Sequence, residues 1–153
     1  MPVAVQFYDV VLWLHILAFF IAFGPTYAYG VFFAFAAKAG PQAMIQTAKA
    51  VQMWDRIAVT LGALLILATG LYLTLDVWEF SDFFVSWGIV AILFVLGMTH
   101  AYFAPRHRLV IEHLEAGREA EAQELGQSIG KVGALVGIVV ILTIYVMTAQ
   151  PFQ

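Results

Sequence analysis

Charged side chains are gathered into short segments of this chain and leave four long runs without any Asp, Glu, Lys or Arg: residues 10–37, 57–75, 83–105 and 132–153. The runs are 28, 19, 23 and 22 residues long, and a helix needs roughly 20 apolar residues to cross the hydrocarbon core of a bilayer. Inside lipid the backbone must satisfy its own hydrogen bonds, which leaves helices or a closed barrel. Barrel strands alternate apolar and polar residues, whereas these runs are apolar without a break. The pattern predicts an all-α polytopic membrane protein, a four-transmembrane-helix bundle forming one membrane domain over 1–153. Spans are expected at about 8–37, 56–75, 83–105 and 130–149.

The polar segments between the runs give the orientation. All seven basic residues follow the first and third spans: Lys38, Lys49 and Arg56, then Arg106, Arg108, Arg118 and Lys131. The N-terminal segment and the second loop carry only acids, Asp9 and then Asp76, Glu79 and Asp82. The positive-inside rule puts both termini outside and the two basic segments in the cytoplasm, which suits a bacterial inner membrane. Helical segments are expected on the cytoplasmic side over about 41–54 and 106–127. The start, Met1-Pro2-Val3-Ala4-Val5, lacks a basic region ahead of a first run far longer than a signal-peptide core, so the first span is expected to be retained.

Local signals refine the elements. Pro25 removes a backbone donor and clashes with the carbonyl of Ile21, so a kink is expected at Gly24-Pro25. Gly40-Pro41 stops the helix, and 42–53 reads as a short amphipathic helix along the membrane face. Trp54 on one side, and Trp13, Trp78 and Trp87 on the other, are expected at the two interfaces. Arg118 and Glu121 stand one turn apart in a solvated helical hairpin. Gly126, Gly130, Gly133 and Gly137 give the fourth span two small-xxx-small spacings, which allow close helix approach in lipid. Packing inside the bundle, a homo-oligomer and a larger membrane complex all suit that stripe.

Composition agrees: 63% of residues are hydrophobic and 11% charged, with mean hydropathy +0.90. No basic patch points to nucleic acid, and the net charge is −3. The chain has no cysteine, which excludes disulfides, thiolate-ligated iron–sulfur or zinc sites and covalently attached c-type haem. No nucleophile motif, phosphate loop or carboxylate pair is present, which argues against acyl or phosphoryl transfer.

Two imidazoles lie within the spans, His15 in the first and His100 in the third. Ionisable residues inside a membrane are costly and are functional candidates, and histidine is the commonest haem and transition-metal ligand. Each is equally able to serve as a hydrogen-bonding core residue. His15 is eight residues from the outer start of its span and His100 is 17 from its own. At about 1.5 Å per residue the two differ in depth by roughly 13 Å, too far to hold the two faces of one iron. Ala18 and Ala22 beside His15, and Gly97 beside His100, are small enough to admit a flat macrocycle or a close helix. Met147, Tyr145 and Tyr72 are candidate second ligands near His15. His107 and His113 fall on the solvated extension.

Leu14-His15-Ile16-Leu17-Ala18 with Phe23-Gly24, Thr69-Gly70-Leu71-Tyr72-Leu73, and Met98-Thr99-His100 resemble small bacterial membrane proteins of the HemJ-type protoporphyrinogen oxidases and the copper-resistance D-like family. The resemblance implies a haem b-containing four-helix unit, often oligomeric, with His15 and His100 at the positions of the family's first- and third-helix histidines. The chain departs from the HemJ pattern at Thr26, where an Arg would follow the proline. It departs again at Trp87-Gly88-Ile89, where a Lys would stand. An anionic porphyrinogen would need those cations.

The sequence therefore reads as an integral membrane haem b-binding protein in electron transfer or haem or small-molecule sensing. His15 and His100 are its candidate metal ligands, with Ala18, Ala22 and Gly97 beside the cofactor. If it is an enzyme, it is a haem-dependent membrane oxidoreductase. The alternative is a non-catalytic assembly subunit of a larger membrane complex. A metal-ion permease ranks third, because no span carries an Asp or Glu to bind a cation.

Overall fold

A computed structural model describes residues 6–151; the reading of the first five residues lies outside them, as does the end of the fourth apolar run. Four long helices follow one another: α1 (Phe7–Ala39), α2 (Pro41–Val77), α3 (Phe83–Glu115) and α4 (Glu119–Ala149). Each is long and apolar enough to cross a membrane, and no strand occurs among the described residues. Gly40, at φ +107°, turns the chain between α1 and α2, and Gly117, at φ +71°, does so between α3 and α4; both values favour glycine. These hairpins make one end of the bundle basic. The turn at 78–82, the start of α1 and the end of α4 lie at the other, acidic end.

Three of the helices change their winding. Where proline would meet the Ile21 carbonyl, α1 tightens into a 3₁₀ turn over Gly24–Ala28, and the Thr26 hydroxyl donates to the Phe23 carbonyl at 2.7 Å. Wide π turns occupy Asp55–Val59 of α2 and Met98–Phe103 of α3. Pro105 leaves the carbonyl one turn back without its usual donor, which accounts for the widening in α3. In α2 the Thr60 hydroxyl donates to the Asp55 carbonyl five residues earlier, at 3.2 Å. The two π turns touch each other across the bundle.

The segment expected to lie along the membrane face, 42–53, instead continues into the rest of α2. Between Pro41 and Gly62 there is no proline or glycine to interrupt it. Its face packs on α3 and α4 at the basic end through Ala48, Val110, Ile111, Leu114 and Ala122. The central core joins all four helices through Ala18, Ala22, Val59, Ala63, Ile66, Ile92, Val95 and Val140.

Small residues set the closest approach. A methyl group on Gly62 would lie 2.5 Å from Ala22 Cβ and 3.3 Å from the Ala18 carbonyl oxygen. The outer surface is strongly apolar: Phe20, Phe35, Leu75, Val90 and Leu135 all point away from the core. A surface of that kind suits lipid and not water. Threonine hydroxyls within the helices donate back to carbonyls four residues earlier, as at Thr99, Thr143 and Thr148, which satisfies them without water.

Two tryptophans turn inward. Trp54 joins the central core and its indole N–H reaches the Ala22 carbonyl at 3.4 Å. Trp87 donates to the Thr143 hydroxyl at 3.0 Å, so α3 and α4 are tied together where an interfacial ring was expected. An indole N–H inside a bundle needs an acceptor, and both helices supply one.

Candidate functional site

His15 is half-buried between α1 and α2, with its ring against Gly70; a methyl there would come within 3.1 Å of His15 Cε1. Its Nδ1 is 2.9 Å from the Thr69 hydroxyl. That hydroxyl has one hydrogen, and the Leu65 carbonyl takes it at 2.6 Å. With that hydrogen directed to the carbonyl, Nδ1 can donate to Thr69, an arrangement that would leave Nε2 free as a ligand atom. Metal-bound histidines are commonly oriented in this way through the nitrogen opposite the metal.

His100, in the π turn of α3, has the mirror arrangement. Its Nε2 is 3.2 Å from the Thr60 hydroxyl, which is equally close to the Asp55 carbonyl. Thr60 and Thr69 are nine residues apart on one helix, about 13.5 Å along its axis. The histidines thus occupy two levels and are not brought together.

The small residues chosen beside them have different surroundings. Ala18 and Ala22 are buried against Gly62 of α2, so helix packing fills the space next to them. Gly97 faces outward with nothing within 4 Å. Met147 packs over Gly88 and joins Phe84, Val85 and Val146 at the acidic end. Tyr72 meets Phe7 edge-on at 5.4 Å, and Tyr145 is exposed.

A second group of polar residues gathers at the basic end. Tyr29 of α1 donates its hydroxyl to Asp55 Oδ1 at 2.7 Å. His107 of α3 brings Nδ1 to 3.3 Å from Asp55 Oδ2. Burial pulls the His107 imidazole down to about 4 and pushes the Asp55 carboxyl up to about 6, so a neutral imidazole faces the carboxyl, and Nδ1 is buried with no hydrogen bond among the described residues. Three helices are thereby joined through one carboxylate. Next to it a cleft of about 740 Å³ is lined by Lys49, Arg56, His100, His107, Arg108 and Glu112, among others. The sequence reading passed over Asp55 and Tyr29. The signal for Asp55 was its position as the acid one residue before Arg56 and the 57–75 apolar run, but nothing in the sequence pairs it with Tyr29 or His107.

Among the described residues no group of three or more His, Asp or Glu side chains converges as a metal site would require. A haem iron needs fewer protein donors, and a single histidine suffices. Comparison with family models, with curated proteins and with solved structures gives no match.

Proposed function

We propose that the chain is an integral protein of a bacterial inner membrane that binds haem b through His15, in electron transfer or in sensing haem or a small molecule. The observation that carries this reading is the hydrogen-bond chain from His15 Nδ1 to the Thr69 hydroxyl and on to the Leu65 carbonyl. With Nδ1 donating to Thr69, it holds the ring and leaves Nε2 free as a ligand atom, which is the arrangement a haem-ligating histidine needs. The resemblance of the His15 and His100 segments to HemJ-type and copper-resistance D-like proteins supports the same cofactor. Haem would supply a one-electron couple and an iron position able to take a small ligand. His100 is the second candidate and, at its own level, would serve a separate site. Porphyrinogen oxidation is not part of the proposal, because Thr26 and Trp87-Gly88-Ile89 stand where the cations would be.

Visible spectra of the detergent-purified protein, oxidised and dithionite-reduced, with a pyridine haemochrome assay, test the reading. A b-type spectrum at near-stoichiometric haem is expected, lost in His15→Ala and retained in His100→Ala. A colourless protein after haem-sufficient expression, or full haem content in His15→Ala, would overturn it.

One observation favours the second reading, an assembly subunit or homo-oligomer. Gly126 and Gly130 have nothing within 4 Å, and Leu135, Ile138, Ile141 and Tyr145 of the same helix are all exposed. In contrast, Gly133 and Gly137 face inward, towards Phe103 and Tyr27. Copurifying polypeptides, or a higher-order species abolished by Gly130→Leu, would identify that role.

A further inference from the structure

We infer that the cleft at the basic end is a binding site for a phosphate group, with Arg56 and Arg108 as its anion-binding pair. The inference does not depend on His15, which is on the other level of the bundle, but it shares His100, the second haem candidate, with that reading.

Its lining carries three cations, Lys49, Arg56 and Arg108, and three carboxylates, Asp55, Glu112 and Glu115. Most of these charges are already engaged. Lys49 and Glu115 form an ion pair at 2.6 Å. Asp55 is held by the Tyr29 hydroxyl and faces His107. What remains is Arg56 and Arg108 against Glu112, two guanidinium groups from two helices with no protein acceptor among the described residues. A guanidinium fork matches phosphate oxygens and takes them two at a time.

His107 also lines the cleft, with its Nδ1 3.3 Å from Asp55 Oδ2, so a second neighbour besides Tyr29 faces that carboxyl. His100 adds a second imidazole to the wall.

Position narrows the ligand. Arg56 directly precedes one apolar run and Arg108 closely follows another, so the cleft opens where the helices leave the hydrocarbon. Phosphate is the abundant anion at that level, carried by phospholipid headgroups on the membrane side and by soluble phosphate esters on the aqueous side. The cleft's volume admits either.

The test uses the full chain, delipidated in a neutral detergent, with Trp54 fluorescence as the reporter, since Trp54 directly precedes Asp55. Inorganic phosphate and short-chain phosphatidylglycerol are titrated separately, with diacylglycerol as the phosphate-free control. Saturable binding of a phosphate-bearing probe is expected, weakened about tenfold or more in the Arg56→Gln/Arg108→Gln double variant and unchanged in Arg118→Gln, which lies outside the cleft. Saturation by phosphatidylglycerol alone assigns the site to a lipid headgroup, and saturation by inorganic phosphate assigns it to a soluble ester. If the double variant does not fold, native mass spectrometry of Arg108→Gln, a substitution at an exposed position, decides by loss or retention of the bound adduct. No saturable response to either probe, an equal response to diacylglycerol, or undiminished binding in the folded variant would overturn the inference.

Discussion

A single hydroxyl sets the chemistry of His15. Thr69 bridges the Leu65 carbonyl, at 2.6 Å, and His15 Nδ1, at 2.9 Å, and so can accept from the imidazole. Thr69→Val keeps the shape and removes the acceptor. If His15 ligates haem, this variant should bind haem about 10- to 100-fold more weakly, the usual cost of losing such an outer partner. Haem titration of the purified apoprotein would measure it, and an unchanged affinity would mean that the hydroxyl does not position the ring. The candidate histidines were legible from sequence because imidazoles are rare in apolar runs. Their threonine partners were not, because Thr60 and Thr69 resemble any other threonine on a helix that bonds its own backbone. Asp55 shows the same limit: its meaning comes from Tyr29, 26 residues earlier, and from His107 on a third helix.

At the level of elements, α1 and α2 approach closely because Gly62 sits on Ala18 and Ala22. Adding bulk there must push two helices apart, and overpacking of this kind costs about 1–3 kcal/mol. Gly62→Val should lower stability by that amount in a reversible unfolding titration in detergent. Gly126→Ala, where the added methyl meets nothing, should be neutral or stabilising by up to about 1 kcal/mol through helix propensity. Equal effects at the two glycines would contradict the packing described here. The winding changes divide in the same way. Proline announces the 3₁₀ turn at Gly24–Ala28 and accounts for the π turn before Pro105. The π turn at Asp55–Val59 has no proline and no such announcement.

For the whole molecule, the alternation of the four helices puts the start of α1 and the end of α4 at one end of the bundle and the turns at Gly40 and Gly117 at the other. By the positive-inside rule the end that carries Lys38, Lys49, Arg106, Arg108 and Arg118 is expected in the cytoplasm. Alkaline phosphatase fused after the last residue or within the 78–82 turn should then be active, and a fusion at Gly117 inactive. The reverse result would invert the topology and put the phosphate cleft on the outer face.

The sequence by itself determined the solvent and the number of long helices, because charge is excluded from lipid, and Gly40-Pro41 marked one turn, whereas the break at Gly117 falls inside the helical segment expected over 106–127. It did not determine which face of each helix meets another. In water an apolar stripe marks the buried face, but a helix in lipid is apolar all round and loses that contrast. Only the tertiary structure therefore decided that Ala18 and Ala22 pack on Gly62, that Trp54 and Trp87 turn inward, and that Tyr29, Asp55 and His107 meet beside two arginines.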